Sequence, residues 1–368
     1  MTILRTTLLG LLAAIPLAAG LAACSPLTAI NALSSGSASQ VTRDLAYGPL
    51  PRQKLDVYAP KIRTGPVPVV VFFYGGNWTT GERADYAFVG HALAARGYLA
   101  VIADYRLYPD VHYPEILQDA ARAVAWAAME SSRHGGDPAR LFVMGHSAGA
   151  YNAAMVALDA SLLARHGMHP HDLRGWIGLA GPYDFLPIEN TTTRPVFFYP
   201  DTPASSQPIH HVTAEAPPAL LIAPLPGRDK LVNPQRNTGG LAQALRAQQR
   251  PVTETYFDKV SHTTLVASLA SPLRMLAPTL DAVSAFIDAN SKVETALASQ
   301  AMVLPESPVT PQSAVTEQSP ATVQSSATKH APATEQGPAT AHSPASKQGT
   351  APQAAAAYKA PHDKTPVP

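Results

Sequence analysis

The sequence predicts an α/β fold, a mostly parallel central sheet with helices on both faces. Three observations carry this. Short apolar runs recur through residues 41–292 and alternate with segments of helical spacing. Residues 67–74 and 99–103 run on without polar alternation, as in strands buried on both faces. The intervals between them are long enough for one helix each, which suits crossovers between parallel strands. In such a sheet, function gathers at the carboxyl ends of the strands.

The elements follow in order. Residues 55–58 (LDVY) predict a short strand at an antiparallel edge. Residues 67–74 (VPVVVFFY) predict a buried strand, and residues 85–96 a helix closed by Gly97, a residue suited to helix ends. Residues 99–103 (LAVIA) are the next strand, and the Ala-rich residues 120–129 the next helix, followed by a Gly-Gly turn. Residues 141–144 (LFVM) predict a strand leading into a helix over 148–163. Residues 176–180, 219–223 and 252–257 supply three more strands, and residues 273–287 a closing helix.

Both ends fall outside this pattern. Arg5 precedes an apolar stretch over about residues 8–23, the layout of a secretory signal. Gly10, Pro16 and Gly20 interrupt it, which disfavours a permanent transmembrane helix. The segment ends LAAC at Cys24, the single cysteine of the chain, and resembles a bacterial lipoprotein signal. That resemblance implies a diacylated Cys24 at the new N-terminus, and Ser25 is compatible with transport to an outer membrane facing the periplasm or the exterior. Secretion with Cys24 discarded is the alternative. Residues 25–40 are small and polar, and are expected to form a flexible tether. Residues 293–368 are rich in Pro, Ala, Thr, Ser and Gln, with seven hexapeptide repeats over 307–348. They carry too little large apolar surface to offset ordering entropy, and a disordered tail is expected. Its partner, if it has one, is unknown.

Composition excludes several classes. Lys plus Arg number 27 against 26 Asp plus Glu, so there is no electrostatic footprint for nucleic acid. One cysteine allows neither an internal disulfide nor a thiolate metal cluster. His166, His169 and His171 cluster, but no H-E-x-x-H motif or acidic partner helix accompanies them, and no metal is expected.

The chemistry is concentrated at Gly145-His146-Ser147-Ala148-Gly149, where a predicted strand turns directly into a predicted helix. A serine at such a turn adopts a strained backbone, and glycines two residues to either side make room for it. A serine hydroxyl needs a base to become nucleophilic. Among 13 histidines, His262 stands just after the last predicted strand and before the last helix, with His210 and His211 as alternatives. The base needs a carboxylate to orient it. Asp229, in the loop after residues 219–223, is the candidate, and Asp258 the competitor. Oxyanion donors are expected from the glycine-containing turn after residues 67–74. Gly76 and Asn77, with Ala148 after the serine, are the candidates, and Gly75 is a further one.

Together these residues resemble the esterase and lipase branch of the α/β-hydrolase superfamily. The similarity is to carboxylesterases like hormone-sensitive lipase and to the bacterial feruloyl-esterase-like group. It runs over about residues 50–290 and includes LDVYAP, YGGNWTTG, DYRLYP, DPARLFVMGHSAGA and SHTTL. The chain order Ser147, Asp229, His262 is that of α/β-hydrolases. The resemblance implies a lipid-anchored serine carboxylesterase acting on small-molecule esters through an acyl-enzyme, with no metal or organic cofactor. A cap over residues 165–211 is expected, with Tyr183, Phe197, Phe198 and Tyr199 lining the pocket. Two departures stand out. Tyr74 replaces the usual histidine of the oxyanion loop, and APLPGRD replaces the usual His-Gly before the acid. An arylformamidase or other amidase of the same fold, and a non-catalytic envelope attachment lipoprotein, are the alternatives.

Overall fold

Eight strands form one sheet among the described residues: β1 (Ser39–Ala46), β2 (Lys54–Pro60), β3 (Val67–Phe73), β4 (Leu99–Ala103), β5 (Gly136–His146), β6 (Leu173–Leu179), β7 (Ala219–Pro224) and β8 (Val252–Phe257). Their spatial order is β1-β2-β4-β3-β5-β6-β7-β8. The first two pairings, β1 with β2 and β2 with β4, are antiparallel, and all others are parallel. This is a computed structural model, and it describes residues 26–34 and 36–292. The expected signal, Cys24 with its expected lipidation, and the expected repeat tail lie outside the described residues.

The helices are α1 (Pro26–Leu33), α2 (Ala87–Ala95), α3 (Glu115–Glu130), α4 (Ala148–Leu158), α5 (Ala160–Ala164), α6 (Gly240–Ala247), α7 (His262–Ala267) and α8 (Thr279–Ser291). β3 lies between β4 and β5, with Val69 to Phe73 fully buried. Both faces of that strand are therefore covered, which is why its sequence shows no polar alternation. α4 packs on β5 and β6 directly behind the nucleophile turn, and all its residues are buried.

The structure corrects several expectations. β2 is not the edge, because β1 lies outside it. SQVTRDLA carries little apolar signal, since β1 is half exposed and bulged between Thr42 and Leu45. Residues 25–40 are not a plain tether, because they hold α1 and the start of β1. Leu27 and Ile30 pack against the core. Asn31 donates to the Ala84 and Asp85 carbonyls (both 3.0 Å) and accepts the Phe88 N–H (2.9 Å), so α1 caps the start of α2 from across the chain. The helix expected over 148–163 breaks at Asp159, whose carboxylate caps α5 by accepting the Ser161 N–H (3.0 Å). The helix expected over 273–287 is a 3₁₀ turn (Ser271–Leu276) and then α8, with Pro278 at the junction. No helix among the described residues is long and apolar enough to cross a membrane.

Candidate active site

Between β5 and α4 the chain reverses within one residue. Ser147 adopts φ 55° and ψ −123°, a conformation that costs a residue with a Cβ on the order of 1–3 kcal/mol. The turn is held because its glycines let backbone approach backbone. A Cβ on Gly145 would stand 2.1 Å from the Gly149 carbonyl oxygen, and one on Gly149 would stand 2.0 Å from that of Phe73. The Ser147 N–H donates to the Leu179 carbonyl (2.9 Å), tying the turn to the end of β6. Ala148 opens α4, so its N–H has no partner within the helix.

His262 is the first residue of α7. Ser261 caps that helix in a reciprocal pair with Thr264, and its own N–H donates to the Thr264 hydroxyl (2.7 Å). The His262 Nδ1 lies 2.8 Å from Asp229 Oδ2, and its Nε2 lies 2.8 Å from Ser147 Oγ. A carboxylate can only accept, so the proton sits on Nδ1 and Nε2 is left to accept from the serine hydroxyl. Asp229 is buried, and its other oxygen accepts the N–H groups of Leu231 and Val232 (2.9 Å each). Burial pushes its carboxyl up, but the His262 imidazole and these two N–H groups outweigh that and hold it below the ordinary range. Asp258 is exposed in the turn after β8. His210 and His211 lie on a 3₁₀ turn, with His211 Nε2 2.6 Å from the Ser205 carbonyl oxygen. His169 and His171 stack on each other just before β6, at the opposite end of the sheet from Ser147.

The turn after β3 carries the oxyanion candidates. Gly76 has φ 131°, and Asn77 and Trp78 have φ 52° and 59°. Three successive positive-φ residues turn the chain over the serine. Trp78 anchors the loop to α4 through Nε1, which donates to Asn152 Oδ1 (3.0 Å). Gly75 packs on the serine itself, since a Cβ there would stand 3.0 Å from that of Ser147. Burial first, and the neighbouring Asp85 second, raise the pKa of Tyr86, which also lines the site, to about 12.

Tyr74 is braced in place of the missing histidine. Its hydroxyl donates to Asp104 Oδ1 (2.9 Å) and accepts from Arg52 (3.0 Å). Arg52 also donates to the carbonyl of Gly81, at the far end of the loop, and to that of Tyr105 (2.8 Å). Asp104 is in turn held by the backbone N–H of Arg83 (2.7 Å) and by its guanidinium, which also pairs with Asp44 and Asp56. Tyr105 closes the set by donating to the Tyr74 carbonyl (2.8 Å). Sequence reasoning missed Arg52 and Asp104. The tyrosine itself was the available signal, because a buried phenol requires partners.

Ser147, His262, Gly75, Gly76, Asn77 and Ala148 all line one cavity of about 440 Å³. Asp229 stands behind His262 and does not line it. Trp78, Tyr86, Phe185 and Ile188 give the cavity apolar walls, while Glu189, Asn190, Thr193 and Asn233 add polar groups. The four aromatics expected to line it do not. Tyr183 is buried beside Trp176, Phe197 is buried behind Trp78, and Phe198 and Tyr199 face solvent. The cap segment contributes instead through residues 184–193, because its turns carry those residues inward. Asp184 is held there by Arg236 (2.9 and 3.1 Å).

The BD-FAE family model matches residues 55–245, more than half of the chain. The chain belongs to the BD-FAE family. The matched span includes the oxyanion loop, Ser147 and Asp229, and ends before His262. The chain is 34% identical over 153 residues to an isoprenylcysteine alpha-carbonyl methylesterase of Arabidopsis thaliana, covering 40% of this chain and 36% of that protein. It is 31% identical over 232 residues to Esterase LipC of Mycobacterium tuberculosis, covering 56% of each. The chain thus spans little more than half the length of such curated relatives, or less. Esterase B from Lactobacillus rhamnosis matches in structure with a TM-score of 0.61 at 20% identity, over 80% of this chain and 99% of that one. The fold of this BD-FAE member is that of the α/β-hydrolases.

Proposed function

We propose that this protein is a serine carboxylic ester hydrolase working through an acyl-enzyme. The observation that carries the reading is the hydrogen-bonded line Asp229–His262–Ser147, 2.8 Å at each link, opening into a cavity faced by the oxyanion loop. His262 Nε2 takes the Ser147 proton as Oγ attacks the ester carbonyl carbon. The N–H groups of Gly76, Asn77 and Ala148 receive the oxyanion, each worth about 3 kcal/mol of transition-state stabilisation. Gly75, which lines the same cavity, is the further candidate donor. Asp229 keeps the imidazole in the required tautomer and stabilises its cation. His262 then gives its proton to the departing alcohol. It next deprotonates the water that attacks the acyl-enzyme, and the acid leaves. The names of the relatives support esters as the substrate class.

Attachment to the cell envelope through acyl chains on Cys24, with the enzyme facing the periplasm or exterior, is the second part of the proposal. It rests on the signal-like residues 1–24. Two or three acyl chains hold firmly, at about 0.8 kcal/mol per buried CH₂. Labelled palmitate should enter the wild-type protein and not Cys24→Ala.

The test of activity is hydrolysis of p-nitrophenyl acetate, butyrate and octanoate by the full chain and by Ser147→Ala. Loss of the nucleophile should lower kcat by about 10⁶. Equal rates in the two proteins would refute the proposal. Hydrolysis of a formamide in preference to all three esters would shift the reading to an amidase.

A further inference from the structure

His146 takes no part in the chemistry above, yet it touches the nucleophile turn, the base and the loop of Gly75. It occupies the variable position of the G-x-S-x-G turn, immediately before Ser147, and is 3% exposed. Its Nε2 lies 2.9 Å from the carbonyl oxygen of His262. A carbonyl only accepts, so this nitrogen carries the proton and donates. Its Nδ1 has no hydrogen-bond partner, and the oxyanion loop closes over it. A Cβ on Gly75 would stand 3.2 Å from that nitrogen. The His146 and His262 rings lie 5.0 Å apart, tilted by 49°. Burial first, and the neighbouring His262 second, push the His146 pKa down to about 3, so the ring is neutral near pH 7 and its tautomer is set by the carbonyl. It is not the base for Ser147, because its free nitrogen, Nδ1, has no hydrogen-bond partner and the serine hydroxyl meets His262 Nε2 instead.

We propose that His146 is a positioning residue, a strut whose Nε2–H holds the backbone of His262 while its ring supports Gly75. One imidazole then sets the nucleophile turn, the base and the oxyanion loop against each other. The three arrive from the ends of β5, β8 and β3, and no local sequence signal relates them. The inference rests on the esterase reading, because a strut of this kind matters only if Ser147 and His262 react. Such sites are sensitive to small displacements, and about 1 Å can cost about 100-fold in rate.

A donor defines the strut, so another donor should replace it. Glutamine places its Nε2 the same number of bonds from Cα as histidine does, whereas phenylalanine fills the space with no donor. In the full chain, His146→Phe should lower kcat for p-nitrophenyl butyrate about 100-fold with KM changed less than about threefold, and His146→Gln should recover at least about tenfold of that loss. A His146→Phe variant as active as wild type would overturn the strut, and so would a His146→Gln variant as impaired as His146→Phe. A measurement free of turnover accompanies these. Imidazole ¹⁵N NMR of the wild-type chain should show His146 neutral near pH 7, with its proton on Nε2. A proton on Nδ1, or a charged ring, would overturn the proposal even if His146→Phe did not fold. Absence of Ser147-dependent hydrolysis would instead refute the esterase reading, which the NMR result leaves separate.

Discussion

Replacing Tyr74 by phenylalanine removes one hydroxyl and tests whether the unusual oxyanion loop is held as its geometry indicates. That hydroxyl makes two hydrogen bonds, one to the Asp104 carboxylate and one from the Arg52 guanidinium. Hydrogen bonds to charged groups contribute about 1.5–3 kcal/mol each when a partner is left unsatisfied. Here neither partner is stranded, because Asp104 keeps the Arg83 N–H and guanidinium, and Arg52 keeps the carbonyls of Gly81 and Tyr105. The loss should therefore fall below the ~3 kcal/mol minimum for two such bonds, at about 2 kcal/mol, or about 4–8 °C in Tm for a domain of this size. The effect on catalysis should be separate. Slack between Tyr74 and Gly81 would displace Gly76 and Asn77, whose N–H groups, in the proposed mechanism, matter only once the oxyanion forms. We expect kcat to fall about 10- to 100-fold with KM little changed, and a boronate transition-state analogue to weaken in parallel. Thermal unfolding by circular dichroism, with steady-state kinetics on p-nitrophenyl butyrate, measures both. Unchanged Tm and kcat would refute the brace. A raised KM at constant kcat would show that Tyr74 serves substrate binding instead.

Two further predictions concern the charges behind the site. Asp229→Asn should keep the fold and lower kcat about 10⁴-fold, because the imidazole loses its required tautomer. The Asp229 carboxyl is held below its unfolded value, so its contribution to stability is present above about pH 4 and is lost as pH falls through the lower folded pKa. The stability gap between wild type and Asp229→Asn in urea unfolding should accordingly shrink in acid, and a constant gap would contradict the assignment. His146 gives a dependence of the same sign over a different window. Its folded pKa of about 3 lies below the unfolded value of about 6.5, so between these the unfolded chain binds a proton that the folded chain refuses. Wild-type stability should fall by about 1.4 kcal/mol per pH unit on acidification through that window, a slope that His146→Gln removes. Identical slopes in the two proteins would refute a buried neutral His146.

How much was legible in advance follows from how local each signal is. Buried strands such as β3 and β4 announce themselves because covering both faces demands apolar residues throughout. The turn at Ser147 is equally local, since its glycines and strand-to-helix context lie within a dozen residues. The order of Ser147, Asp229 and His262 along the chain was enough to pair them, because each follows or precedes a recognisable strand. β1 was invisible for the opposite reason. A half-exposed, bulged edge strand needs no apolar run, and its partner β2 supplies the order. The helix break at Asp159 and the role of Asn31 likewise turn on one side chain meeting a backbone group.

The sequence by itself determined seven of the eight strands of the described sheet, the turn at Ser147 and the side chains that meet there. Only the tertiary structure decided what holds them and what surrounds them. Arg52 reaches Tyr74 across 22 positions and His146 reaches the His262 carbonyl across 116, and neither pairing leaves a periodic trace. The cavity wall was misjudged for the same reason. An aromatic such as Phe197 is as much at home behind Trp78 as in a pocket, and only the packed cap shows which side of the wall it occupies.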